Sequence, residues 1–159
     1  MATQNKNLSL FDKADIPSAK GMRFGIVVAN WNSKITSNLL DGAKETLLEC
    51  GVLESDISVN QVPGSFELVF GAKLMSKQKV DAIICLGSVI QGETKHFDFV
   101  CNAVSLGIKD LNIALNVPVI FGVLTDNTLQ QARNRSGGKY GNKGVEAAIT
   151  AIKMAHLNK

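Results

Sequence analysis

Val80-Asp81-Ala82-Ile83-Ile84-Cys85-Leu86-Gly87-Ser88-Val89-Ile90-Gln91-Gly92-Glu93-Thr94-Lys95-His96-Phe97 carries the change of pattern that decides the fold. Its first part is a short apolar, β-branched run and predicts a buried strand over Val80–Leu86. A long helical pattern starts near Phe97 and continues to Leu115. Leu86 to Phe97 is therefore a strand-to-helix loop, holding two glycines, a threonine and one of the two histidines of the chain. In an open α/β sheet, loops at the carboxyl ends of strands are where ligands sit. A helix N-terminus just beyond offers unpaired N–H groups to an anion. The same residues are also compatible with an ordinary turn and a histidine at a helix start.

Working outward, the same alternation recurs. Strands are predicted at Phe24–Ala29, Ile57–Val62 and Val117–Leu124. Between them lies a helix with Ile35, Leu39, Leu40, Ala43, Leu47 and Leu48 on one stripe, capped by Ser33 and closed by Gly51. A second helix carries Phe66, Val69, Ala72 and Met75, with Ser65 as its cap. Asn127–Arg135 predicts a short helix, Ser136–Gly141 a glycine-rich break, and Asn142–Leu157 a final helix. Strand and helix thus alternate, and the strands read as continuous apolar runs, the mark of burial on both faces. This predicts a three-layer α/β/α sandwich with a four-stranded parallel sheet, the doubly wound, flavodoxin-like class. Residues 1–21 are polar and irregular and read as a flexible arm; residues 22–159 read as a single domain.

Composition sets bounds on function. The 159 residues are 45% hydrophobic and 19% charged, with a formal charge of +3, which suits a globular domain and gives no general attraction to nucleic acid. Three cysteines without a CxxC spacing read as reduced core thiols. The N-terminus lacks the apolar stretch of a signal peptide and no run is long enough to span a membrane, so the cytoplasm is the expected compartment. Two histidines without a neighbouring cysteine or aspartate cluster do not make a metal site.

If the strands are parallel, the loops Asn30-Trp31-Asn32, Pro63-Gly64-Ser65-Phe66-Glu67, the opening stretch and Thr125-Asp126-Asn127 share one sheet edge. They would form a small-molecule pocket. Trp31 is either a packing anchor or a plate for a flat heterocycle. Glu67 is either a carboxylate favoured by a helix dipole or an acceptor for a polyhydroxyl ligand. His96 is either a helix-start residue or a proton shuttle. Arg133 to Gly144 is basic and glycine-rich but lacks the P-loop and GxGxxG spacings. It reads as a phosphate cradle or a solvated turn. With Tyr140 as its one interleaved aromatic, it is a weak candidate for RNA contact.

Together, Val62-Pro63-Gly64-Ser65-Phe66-Glu67-Leu68, Leu86-Gly87-Ser88-Val89-Ile90, Gly92-Glu93-Thr94-Lys95-His96-Phe97, Phe121-Gly122-Val123-Leu124-Thr125 and Gly141-Asn142-Lys143-Gly144 resemble the lumazine synthase family of riboflavin biosynthesis. The pieces stand in family order from about Phe24 to Leu157. The resemblance implies a cofactor-free condensation of 5-amino-6-(D-ribitylamino)uracil with 3,4-dihydroxy-2-butanone 4-phosphate. The products are 6,7-dimethyl-8-ribityllumazine, phosphate and water. It implies that Trp31 stacks on the pyrimidine, that Ser65, Phe66 and Glu67 hold the ribityl chain and ring edge, and that Ser88, Val89 and Ile90 line the pyrimidine. Glu93 and Thr94 are then phosphate contacts and His96 the proton-transfer residue. Phe121, Arg135 and Lys143 are implied to come from the neighbouring subunit of a pentamer, covering the ring, binding phosphate and assisting nearby.

Three positions depart from the family's pattern. Trp31 stands where phenylalanine is common, Gln91 where arginine is, and Asn134 where glutamate is. The first and third leave open a non-catalytic riboflavin-binding protein on the same scaffold. The Gly137–Gly144 turn has no extra residues, as in members that build icosahedral sixty-subunit shells able to enclose riboflavin synthase. No nucleic acid or membrane partner is implied.

Overall fold

Four parallel strands, β1 (Phe24–Ala29), β2 (Ile57–Val62), β3 (Ala82–Ile90) and β4 (Val119–Asp126), form one sheet in the order β2-β1-β3-β4. The computed structural model describes Ser9, Phe11 and residues 15–158. Much of the expected arm, residues 1–8, 10 and 12–14, lies outside the described residues. Helices α1 (Ser33–Glu49) and α5 (Lys143–Leu157) cover one face, and α2 (Leu68–Met75) and α3 (His96–Ala114) cover the other. The expected α/β/α sandwich is what the chain forms.

Alternation along the strands sorts the core into its two halves. Phe24, Ile26 and Val28 of β1 pack with Leu39 and Leu47 of α1 and Ala148 and Ile152 of α5. Val27 and Ala29 turn the other way, toward Leu68 and Met75 of α2 and Val104 and Ile108 of α3. Cys85 belongs to this second half, and burial pushes its thiol up to about 12, which makes it a packing residue. None of the three cysteines is in a disulfide. Cys50 is half-buried against the first half of the core, while Cys101 is half-buried and belongs to neither half.

The structure corrects several sequence boundaries. β3 does not stop at Leu86. Its ladder with β4 runs on through Gly87↔Val123, Ser88↔Leu124, Val89↔Thr125 and Ile90↔Asp126, so Ser88, Val89 and Ile90 are strand residues. β4 starts two residues later than expected, because Pro118 has no N–H to give to a ladder. β2 is not a buried apolar run. It is the sheet edge, with Ser58, Asn60 and Gln61 suiting its half-exposed position.

Helix ends differ in an instructive way. α1 closes as expected: Gly51 takes φ +94°, its N–H bonds the Leu48 carbonyl and the Val52 N–H bonds that of Leu47. Its start is capped not by Ser33, which is already helical, but by the backbone of Asn32 in a left-handed conformation. α2 starts at Leu68, not at Ser65. The Ser65 hydroxyl is instead buried against Gly87, where a Cβ would lie 2.6 Å from it.

The glycine-rich break is a small antiparallel ribbon, β5 (Ser136–Gly138) with β6 (Gly141–Asn142). It joins α4 (Leu129–Arg135), held by a Thr128/Gln131 capping box, to α5. Asn142 Oδ1 accepts the Gly144 N–H at 2.8 Å while its Nδ2 donates to the Asn38 carbonyl at 2.8 Å. A Cβ on Gly144 would sit 1.8 Å from the Leu39 carbonyl oxygen. In Gly141-Asn142-Lys143-Gly144, then, Asn142 caps α5 and ties it to α1, and Gly144 permits the contact.

Candidate active site

The loop after β1 is tied to the end of β2 and to β3 at the carboxyl edge of the sheet. The Asn30 and Trp31 N–H groups donate to the Val62 and Pro63 carbonyls at 2.8 and 3.0 Å. Asn32, whose left-handed backbone suits an asparagine, sends its Nδ2 to the Ser88 carbonyl at 3.0 Å. Trp31 is thereby held over the edge with its side chain free, and is 72% exposed.

Beside it opens a cleft of about 590 Å³, a size suited to a small organic molecule. Trp31 and Phe66 supply aromatic faces, and Ser65, Glu67, Ser88, Val89, Ile90, Thr94 and His96 also line it. The hydroxyls of Ser65 and Ser88 are buried and have no hydrogen-bond partner among the described residues. Two such orphans in a cleft wall suit a ligand with many donors and acceptors. His96 opens α3, and its N–H is 3.3 Å from Thr94 Oγ1. The sequence reading missed Phe97 and Val100, which complete the apolar wall. Val100 lies one helical turn beyond His96 and could have been found by that spacing.

The model of the 6,7-dimethyl-8-ribityllumazine synthase family matches residues 21–159. The chain belongs to this family. A 6,7-dimethyl-8-ribityllumazine synthase from Flavobacterium johnsoniae is 60% identical over 160 residues, spanning 100% of this chain and 84% of the relative. One from Christiangramia forsetii is 58% identical, spanning 100% of this chain and 96% of the relative. One from Parabacteroides distasonis is 53% identical over 99% of each.

The remaining residues singled out by the lumazine synthase resemblance lie elsewhere. Glu93 is exposed on the β3–α3 loop. Phe121 is in the middle of β4, partly buried against the α2/α3 half of the core. Arg135 ends α4, and Lys143 and Glu146 begin α5, each where the helix dipole favours its charge or where a partner balances it. Arg135 Nη2 donates to Glu146 Oε1 at 3.2 Å, and Lys143 Nζ donates to Glu146 Oε2 at 3.0 Å. This triad is largely buried and none of it lines the cleft. No group of three or more potential metal ligands occurs among the described residues.

Proposed function

We propose that the Trp31 cleft is where this chain carries out the condensation of its family, and that a neighbouring subunit completes the site. The activity joins 5-amino-6-(D-ribitylamino)uracil to 3,4-dihydroxy-2-butanone 4-phosphate, giving 6,7-dimethyl-8-ribityllumazine, phosphate and water. One observation carries the shared-site reading. The cleft has ring faces, hydroxyls and a histidine, but no lysine or arginine lines it among the described residues. One substrate is a phosphate ester and needs a cation. The shielded cations Arg135 and Lys143 lie outside the cleft of their own chain, as expected if they serve the next one.

Subunit packing has its own support. Phe99, Leu106 and Ile113 are exposed at seven-residue intervals on α3, and Phe70 and Leu74 on α2 and Phe66 just before it are exposed too. An apolar stripe of that kind on a globular domain marks a surface that another protein covers. In this reading the copies form a pentamer, and the short Gly137–Gly144 turn suits assembly into a shell able to enclose riboflavin synthase. Residues 22–159 act as one domain, and the enzyme works in the cytoplasm. No helix among the described residues is long and apolar enough to cross a membrane.

Within the completed site, Trp31 and the neighbour's Phe121 sandwich the pyrimidine. Ser65, Phe66 and Glu67 hold the ribityl chain and ring edge, Ser88, Val89 and Ile90 its other edge. The backbone of Glu93, the hydroxyl of Thr94 and the neighbour's Arg135 take the phosphate, with the neighbour's Lys143 nearby. The amine attacks the ketone, and the carbinolamine loses one water to give an imine. Phosphate leaves, and attack of the second amine on the remaining carbonyl closes the ring with loss of a second water. His96 moves protons in these steps, and no strong nucleophile has to be generated. Holding two reactants in register can supply about 7–11 kcal/mol of such a barrier. On mixing both substrates with the purified protein in the presence of a chelator, lumazine absorbance is expected to rise far above the uncatalysed background. A background rate from protein whose Trp31 fluorescence is still quenched by riboflavin would contradict this reading.

A further inference from the structure

Two polar atoms near the end of β4 are buried without a hydrogen-bond partner among the described residues: Oδ2 of Asp126 and Nε of Arg135. A buried guanidinium N–H and a buried carboxylate oxygen are each costly to leave unmatched. Asp126 ends β4 in register with Ile90, which lines the cleft. Arg135 ends α4, the helix that follows directly from that strand. Burial pushes the Asp126 carboxyl up, and the Arg135 guanidinium pulls it back down, so the two groups sense one another without a direct bond.

Two acceptors associated with Arg135 are already engaged. Glu146 uses one oxygen for Arg135 Nη2 and the other for Lys143. Asn134, next in sequence, accepts through Oδ1 from Gln130 at 3.0 Å on the exposed side of α4. The Asp126 carboxylate, on the strand that leads into α4, has a buried oxygen with no donor among the described residues and so matches the Nε–H that lacks an acceptor.

We propose that Asp126 is a positioning residue for Arg135, accepting its Nε–H directly or through one water while Glu146 holds Nη2. The guanidinium is then fixed at two nitrogens and presents Nη1 to the phosphate ester. The inference rests on the reading of Arg135 as the phosphate ligand.

Steady-state kinetics of the assembled full-length enzyme, with each substrate varied in turn, test it. Asp126→Asn is expected to raise the KM for the butanone phosphate about tenfold, because a neutral amide oxygen replaces the charged acceptor of the orienting hydrogen bond, and to leave the pyrimidine KM unchanged. Asp126→Glu, which keeps the carboxylate, is expected to stay within about twofold of the parent. In an Arg135→Ala background Asp126→Asn should cost nothing more, because the two act as a unit. An equal cost in both backgrounds would show that Asp126 merely supports the fold. An unchanged or lowered phosphate-substrate KM in Asp126→Asn would overturn the inference too, a lowered one meaning that its charge competes with the phosphate. If Arg135→Ala itself left that KM unchanged, the phosphate reading would fail, and the inference with it.

Discussion

Arg135→Ala is expected to lower kcat/KM for the butanone phosphate by roughly 10³-fold, the ~4 kcal/mol typical of removing one partner from a desolvated, hydrogen-bonded ion pair. The guanidinium is largely shielded from water and braced by Glu146, so its charge is little screened. Alanine removes the cation and also leaves Glu146 with only Lys143. The residual pair is neutral, and a phosphate dianion gains little from it. Steady-state kinetics with each substrate varied separately provide the check. The deficit should fall on the phosphate substrate, since in the proposed site the ring faces and hydroxyls of the cleft hold the pyrimidine. A deficit confined to the pyrimidine substrate would show that Arg135 does not bind phosphate.

His96→Ala is expected to slow turnover by about 10²-fold without abolishing it, the lower end of what a positioned acid or base contributes. Two features place it there. His96 is exposed at the first turn of α3, where water can take over part of the proton traffic. The reaction also draws much of its rate from holding two reactants together, which the aromatic faces and serines retain. Single-turnover kinetics at saturating concentrations of both substrates measure the effect. An undetectable rate from a folded His96→Ala enzyme would mean that proton transfer, not positioning, dominates the barrier.

The layers of the fold were legible because each strand's neighbours in sequence are helices with a clear apolar stripe. The errors cluster where tertiary contacts override local signals. Gly87 reads as a strand end, yet β3 runs through it, because the missing side chain is what lets Ser65 pack there. Ser33 and Ser65 read as caps, yet the bond from Asn32 to Ser88 and the burial of Ser65 against β3 assign those positions otherwise. The β2 edge was hidden because Ile57, Val59 and Val62 read as core, and only sheet order reveals that β2 has one neighbour.

For the site, residue types in the strand-end loops pointed to the cleft, and the parallel sheet brought Trp31, Phe66, Ser88 and His96 together. Arg135 and Lys143 could not be placed that way, because nothing in a single sequence says whose cleft a cation serves. The Gly141-Asn142-Lys143-Gly144 motif illustrates the difficulty. It ends the stretch from Arg133 to Gly144 that reads as a phosphate cradle or a solvated turn, but the cap bond of Asn142 and the close approach of Gly144 to Leu39 give it a structural task. Asp126 reads as one polar residue in a loop, and only the structure shows that its Oδ2 and the Nε–H of Arg135 are both buried without a partner among the described residues.

The central claim is that each site draws on two copies of the chain, and co-expression of His96→Ala with Arg135→Ala chains tests it most directly. Where an Arg135→Ala subunit supplies the cleft and a His96→Ala subunit supplies the cation, both residues are intact. Random assembly at equal expression gives such pairings at roughly a quarter of the sites of a cyclic oligomer. Activity of the mixed enzyme should therefore return to about that share of the parent's, far above either variant alone. If it stays at the average of the two single variants, His96 and Arg135 act within one chain and the shared-site account is wrong.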